Sequence, residues 1–368
     1  MFDRRLWRNF DYPLLIIVLL ISAYGLLVIS SATQNYSEDP LFYVRKQAVW
    51  ILISLAAMFV LVCIDYSNFS RLSRYLYFGN LGLLTLVMFI GKETAGSQRW
   101  IDLKFFDLQP SEFAKLVIII TLARYLESKE GELDNPVNYI LAFFHIALPM
   151  FLIFKQPDLG TSLVFLAVLF GMLFMAGAKI KHLLTTIVLG TAAGFPLLWM
   201  NLKDYQKMRL IIFTNPEMDP LHHGYQLIQS VIAIGSGKEW GKGLFAESTQ
   251  NMLNFLPAQH TDFIFSVLGE GLGFVGGIVL LLLYLFLIYR ILKVSMAAKD
   301  TFGFLICTGV ASMFIFQIMV NIGMTMSIMP VTGLPLPFMS YGGSSLLVNM
   351  LAVGLVINIG LRRHKIMF

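Results

Sequence analysis

FIFSVLGEGLGFVGGIVLLLLYLFLIY, residues 263–289, holds one charged side chain, Glu270. An apolar stretch of about 20 residues is long enough to cross a bilayer, so this segment reads as a membrane span. Nine more stretches bounded by charge, Pro or Gly read the same way: roughly 13–32, 47–64, 74–91, 111–127, 137–154, 159–177, 183–202, 302–323 and 343–361. The composition agrees, with 57% hydrophobic and 13% charged residues and a mean hydropathy of +0.73. A soluble domain has about 45–50% apolar and about 25% charged residues, so an ordinary cytosolic enzyme is excluded. The expectation is an all-α, polytopic membrane protein of about ten transmembrane helices, forming one integral-membrane unit over residues 1–368.

An even number of spans puts both termini on one side. With the N-terminus inside, fifteen basic residues, among them Arg71, Arg74, Arg124, Lys179, Lys181, Arg290 and Arg362, fall on the cytoplasmic side, against seven in the short outer loops. The reading is therefore N-in and C-in, with a long extracytoplasmic loop of about 203–262 between spans seven and eight. Loops of that length tend to be functional. Within it Leu227, Ile228, Val231, Ile232 and Ile234 recur at helical spacing beside Gln226 and Gln229, which predicts a short helix lying in the membrane interface or packed on the bundle. The scattered basic residues form no nucleic-acid patch. Cys63 and Cys307, both in apolar runs, read as packing residues. The first apolar run reads as an uncleaved helix rather than a signal peptide.

Several polar residues fit this greasy chain poorly. In Gln109–Lys115, Glu112 suits a helix start, whereas Lys115 opposes the helix dipole and is about to enter hydrocarbon. It is either half of an ion pair with Glu112 or the centre of an outward-facing anion site. Asp262 directly precedes the eighth span, where it could cap the helix or act as a catalytic carboxylate at the outer rim. Glu270, two turns further in, needs a partner, and Asp158 reads as a helix cap. Pro330–Ser345 carries three prolines and three glycines and is too apolar for water. Irregular backbone at membrane depth survives only where protein buries it or a polar cavity borders it, so this segment, Ser344 included, is expected to wall a cavity. Arg45, Arg99 and Arg209 could gather with Lys115 around phosphate. His222 and His223 near Asp219 are a weak metal signal, and no metal ligands are assigned.

Together these segments carry a resemblance: GSQRWI (96–101), QPSEFAK (109–115), QPDLGT (156–161), NPEMDP (215–220), GYQLIQS (224–230), GKG (241–243), LPAQHTDFIF (256–265) and residues 330–345. In this order they resemble the SEDS (shape, elongation, division and sporulation) family of bacterial cell-wall polymerases. The opening Asn9–Pro13 and the short tails resemble its elongation branch, with the division and sporulation branches as alternatives. The resemblance implies a peptidoglycan glycosyltransferase of the cytoplasmic membrane that joins lipid II units at its outer face, beside a class B penicillin-binding protein. It implies that Asp262 is the essential aspartate, with Lys115, Glu112, Arg99, Arg45, Arg209, Gln226, Gln229 and Ser344 as candidate substrate-binding residues. No organic cofactor is implied, and Mg²⁺ or Mn²⁺ is a candidate companion of the phosphates. Two departures stand out, since the family often has Glu at the places of Ala258 and Gly271. The rival readings are a flippase that moves lipid II across the membrane without bond chemistry and a scaffold that recruits the penicillin-binding protein.

Overall fold

The computed structural model describes residues 9–35, 39–94, 97–102, 107–220, 224–253 and 255–363. Long apolar runs form helices because a backbone in hydrocarbon must satisfy its N–H and C=O groups within its own segment. In chain order these are α1 (Tyr12–Ala32), α2 (Phe42–Cys63), α3 (Ser67–Ile90), α4 (Pro110–Ser128), α5 (Pro136–Lys155), α6 (Leu159–Met175), α7 (Ile180–Leu189), α8 (Phe195–Asn201), α9 (Asp204–Thr214), α10 (Tyr225–Ser236), α11 (Ile264–Met296), α12 (Thr301–Thr325) and α13 (Gly343–Leu361). All ten predicted stretches fall on helix. Among the described helices seven are long and apolar enough to cross a membrane, and α6 and α7 are shorter apolar helices. The stretch 183–202 is composite: a π-helical turn at Gly190–Gly194 joins α7 to α8.

Start signals are local. Asp11 accepts from Leu14 N at 3.0 Å, Asn135 from Val137 N at 3.0 Å, Asp158 from Thr161 N at 3.2 Å and Asp300 from Gly303 N at 2.8 Å. Each supplies an acceptor to a helical N–H that has no partner within its helix. The cap expected at Asp158 is therefore present. Two of these caps also join the bundle's ends: Arg290 Nη2 lies 2.6 Å from Asp11 Oδ2, and Tyr66 donates to Asp300 Oδ2 at 2.7 Å. Arg362 pairs with Asp65 at 3.4 Å. The start of α1 and the end of α13 are thus tied to the same end of the bundle.

α12 and α13 are the central helices, with 72% and 83% of their most apolar windows buried. α12 packs on α4, α6 and α11, and α13 on α2. Cys307 is buried in α12, whereas Cys63 is exposed at the end of α2, against the packing role expected of it.

The all-α expectation needs one addition. Between α3 and α4 a small antiparallel sheet runs in the order β1 (Lys92–Thr94), β2 (Ser97–Asp102), β3 (Asp107–Leu108), with Lys92 opposite Trp100 and Ile101 opposite Leu108. The loop predicted over 203–262 contains α9 and α10. The buried side of α10 is Leu227, Ser230 and Ala233, because Ser230 bonds Ser266 Oγ and the Thr325 carbonyl, both at 2.6 Å. Val231 and Ile232 are exposed. Leu227 therefore faces the bundle, and only part of the predicted apolar stripe is left outward.

A cationic cavity around Asp262

A cavity of about 1160 Å³ opens where the sheet, α2, α9, the start of α11 and the 330–345 segment meet. Asp262, Arg45, Arg99, Arg209 and Ser344 all line it, so five of the nine expected site residues come together. Residues 326–342 are irregular, with 336–340 buried, and Thr332, Gly333, Pro335 and Tyr341 form one wall, as expected for irregular backbone at membrane depth. This wall is bonded to the Asp262 segment: Ser340 Oγ donates to the Thr261 carbonyl at 2.6 Å, and Tyr341 N to the His260 carbonyl at 2.9 Å. Gln47 of α2 donates to the Ser340 carbonyl at 3.2 Å. His260 sits among the rings of Tyr43 and Tyr341, 5.0 and 5.6 Å away, and burial pushes its imidazole below the usual range.

Asp262 does not cap α11. The N-cap position is Phe263, and no side chain serves the first turn. Asn321 Nδ2 holds the Asp262 backbone carbonyl at 2.9 Å. The carboxylate itself has no hydrogen bond or ion pair among the described residues and faces the loop, where a Cβ built on Gly333 would stand 3.6 Å from Oδ2. Although the side chain reaches the cavity, protein surrounds it closely enough that desolvation raises its pKa above the usual carboxylate range. Arg209 and Arg99 pull it back and Asp158 adds to the rise.

Arg99 is held from three sides. Its Nε donates to the Gln156 carbonyl at 3.1 Å, its Nη2 to the Pro157 carbonyl at 2.8 Å, and its Nη1 lies 3.7 Å from Asp158 Oδ1. Gln109 Nε2 also reaches Asp158, at 3.2 Å. Three of the quoted motifs thus meet in one joint. Arg45 and Arg209 are exposed, and Arg45 pairs with Asp39 at 3.3 Å. Ser344 ties the wall to the sheet, donating to the Asp107 carbonyl at 3.0 Å while accepting from Gln109 N at 3.3 Å.

Four expected residues lie elsewhere. Lys115 and Glu112 are not in the cavity lining. They form a buried pair, Nζ to Oε1 2.7 Å, with side chains 0% and 3% exposed. The anion site built around Lys115 is corrected accordingly: α4 presents Gln109 to the cavity and turns Lys115 into the bundle. Gln226 and Gln229 are on α10, away from the lining. His222 and His223 lie outside the described residues. The cavity also collects Lys46, Lys92, Trp50, Trp100, Asp102 and Asp107, which the sequence reading passed over. Lys46 adjoins Arg45 and Trp100 adjoins Arg99, so their neighbours were the available signal.

Glu270 has its partner in the long loop. Oε1 accepts from Lys242 Nζ and from Gln250 N, both at 2.9 Å, and Oε2 from Asn251 N at 3.3 Å. Opposite it, Lys242 N and Gly243 N donate to the Glu270 and Gly271 carbonyls at 2.9 Å. This close backbone approach needs glycine at Gly241 and Gly273, whose φ values are +79° and +64° and whose added Cβ atoms would meet backbone at 2.2 and 2.3 Å. Gly273 also breaks α11. At the departure position Gly271, a Cβ would fall 2.6 Å from Leu244 Cδ2 and 3.2 Å from its Cα, so a glutamate there would require the Leu244 side chain to turn aside and its backbone to give by a few tenths of an ångström.

Against known proteins, the profile of the FtsW/RodA/SpoVE family, described as cell cycle protein, matches residues 12–365. The chain is 40% identical over 360 residues to the peptidoglycan glycosyltransferase MrdB of Escherichia coli K12, covering 97% of this chain and 95% of that one. It is 37% identical over 356 residues to the stage V sporulation protein E of Bacillus subtilis, covering 95% and 96%. Among solved structures, a chain from a peptidoglycan synthase complex that coordinates polymerization and crosslinking superposes with a TM-score of 0.83 at 34% identity, covering 97% and 99%.

Proposed function

This chain belongs to the FtsW/RodA/SpoVE family, and we propose that it is a peptidoglycan glycosyltransferase that polymerises lipid II at the outer face of the cytoplasmic membrane during cell elongation. The observation that carries this reading is the Asp262 carboxylate, desolvated and without a hydrogen-bond partner among the described residues, at a large cavity that Arg45, Lys46, Arg99 and Arg209 also line. The donor is an α-linked sugar on undecaprenyl pyrophosphate and the new linkage is β, so one inverting displacement suffices. The acceptor's 4-hydroxyl attacks the anomeric carbon, the bond from that carbon to the pyrophosphate oxygen breaks, and Asp262 takes the hydroxyl proton as general base. The pyrophosphate leaves as a stable anion and needs no proton. Arg45, Lys46 and Arg209 stabilise its growing charge, while Arg99, committed to the 156–158 carbonyls and Asp158, acts on Asp262 by its charge. Val49, Trp50 and Ile53 on α2 offer the prenyl tail an apolar exit, since Val49 and Ile53 are both exposed.

A divalent cation fits this site only in part. Among the described residues no group of three His, Cys, Asp or Glu side chains could hold one. Mg²⁺ or Mn²⁺ would draw its ligands from Asp262 and the two phosphates. We further propose a class B penicillin-binding protein as partner, supported by the likeness to a chain of a complex that couples polymerisation with crosslinking.

The deciding experiment is polymerisation of purified lipid II by Asp262→Asn. A general base contributes about 10²–10⁴-fold, so a rate loss in that range is expected. Undiminished glycan synthesis would reject the assignment.

A further inference from the structure

A second hollow, of about 240 Å³, lies between α3, α4 and α5. Gln109 of the first cavity starts α4 and Arg124 of this hollow is near its end. Fifteen residues at about 1.5 Å each separate the two sites by roughly 22 Å, so they sit at opposite ends of the bundle. The side chains around the hollow all carry a polar group. On α4, Thr121, Arg124, Tyr125 and Ser128 line it at helical spacing, and Ser73 and Arg74 line it from α3. Its deep side is closed by His145, whose Nε2 lies 2.9 Å from Thr121 Oγ1 and whose carbonyl accepts from Tyr77 OH at 2.8 Å.

The charges are incompletely matched. Arg124 pairs with Glu127 at 2.6 Å, whereas Arg74 and Ser73 have no hydrogen bond or ion pair among the described residues. Two arginines and one glutamate leave a net charge of one positive, which suits a phosphodiester better than a doubly charged monoester or a pyrophosphate. The volume is nearly five times smaller than that of the Asp262 cavity and leaves no room for a lipid-linked disaccharide. The helices beside the hollow present exposed apolar side chains: Tyr75 and Phe78 on α3, Phe144 and Leu148 on α5. A head group in the hollow could therefore keep its acyl chains in the surrounding lipid.

We infer that this hollow binds the phosphodiester head group of an anionic glycerophospholipid, with Arg74 and Arg124 as the charged contacts and Ser73 as an added hydroxyl donor. Basic pockets between transmembrane helices are known to serve such head groups. Its end of the bundle carries Arg71, Lys129, Lys179 and Lys181 as well, and the positive-inside rule assigns that end to the inner leaflet.

The test titrates the full-length protein in detergent with phosphatidylglycerol, with phosphatidylcholine of the same acyl chains and with undecaprenyl phosphate, read by native mass spectrometry. One phosphatidylglycerol is expected to bind in preference to phosphatidylcholine. At about 1 kcal/mol per basic residue, Arg74→Gln and Arg124→Gln should each weaken it about fivefold, and together about thirtyfold, with phosphatidylcholine retention unchanged. Ser73→Phe, which fills the hollow and keeps both arginines, should displace phosphatidylglycerol too, with the lipid-free melting temperature reporting that each variant is folded. Equal retention by the double variant, or no preference over phosphatidylcholine, overturns the site. Arginine-dependent retention of undecaprenyl phosphate in place of phosphatidylglycerol overturns the phospholipid assignment in favour of a carrier lipid.

Discussion

An aspartate beside a helix start ordinarily spends its carboxylate on the first free N–H groups of the helix. Asp262 does not, and desolvation raises its pKa, so the ionised form that a general base requires is held at a cost. Two outcomes follow. The acid limb of the pH–rate profile for lipid II polymerisation should lie above an ordinary carboxylate's value of about 3.9. Arg209→Gln, which removes a charge that lowers the pKa, should move the limb further up; a limb that stays put or falls would contradict the electrostatic account. For stability, the folded pKa lies above the unfolded one. The stabilising linkage is therefore fully present below the unfolded pKa and lost as pH rises through the folded value. At neutral pH the charge opposes folding, so Asp262→Asn should melt higher in detergent while losing activity. A melting point lowered by that substitution would show that Asp262 has a structural partner instead.

At the scale of elements, the long loop is fastened to α11 by Glu270 rather than draped over it. Lys242→Met would leave Glu270, 1% exposed, without its counter-ion. Breaking a buried pair costs about 3–5 kcal/mol, and with Lys242 a third exposed the lower end is expected, read as a fall in melting temperature. Adding Glu270→Gln to that variant should recover part of the loss, and a double variant as unstable as the two losses summed would mean that the residues act independently. This joint also marks where sequence reading stops. Hydropathy located the ten apolar stretches, since each is a local run, and the position of Asp262 and Ser344 at the starts of two of those runs put them at one end of the bundle, while Arg99 was legible only as a basic residue of an outer loop. The partner of Glu270 is 28 residues away, and no local period reports such a pairing. Lys115 failed for a different reason. Its place in the first turns of α4 identifies the end of the bundle, but whether it meets the cavity depends on how α4 is rotated against its neighbours. The three-stranded sheet was too short to register as a pattern, although its central strand contains Ser97–Ile101 of the quoted GSQRWI segment.

Across the whole molecule the chemistry is one-sided. The large cavity and its arginines occupy one end of the bundle, and the interior behind it is filled by α12, α13 and the buried Lys115–Glu112 pair. The cavity offers a lipid-linked disaccharide an opening at one end of the bundle, the arrangement expected of a polymerase working at one face, whereas a carrier must also release the lipid at the other. Vesicles loaded with lipid II in one leaflet test this directly. Their orientation can be set by a label on Glu217→Cys in a Cys63→Ala/Cys307→Ala background, since Glu217 lies in the loop on the cavity side. Glycan should form only from lipid II in the leaflet that the labelled loop faces, and transfer between leaflets should be no faster than in protein-free vesicles. Transfer accelerated by the protein and independent of Asp262 would favour the carrier.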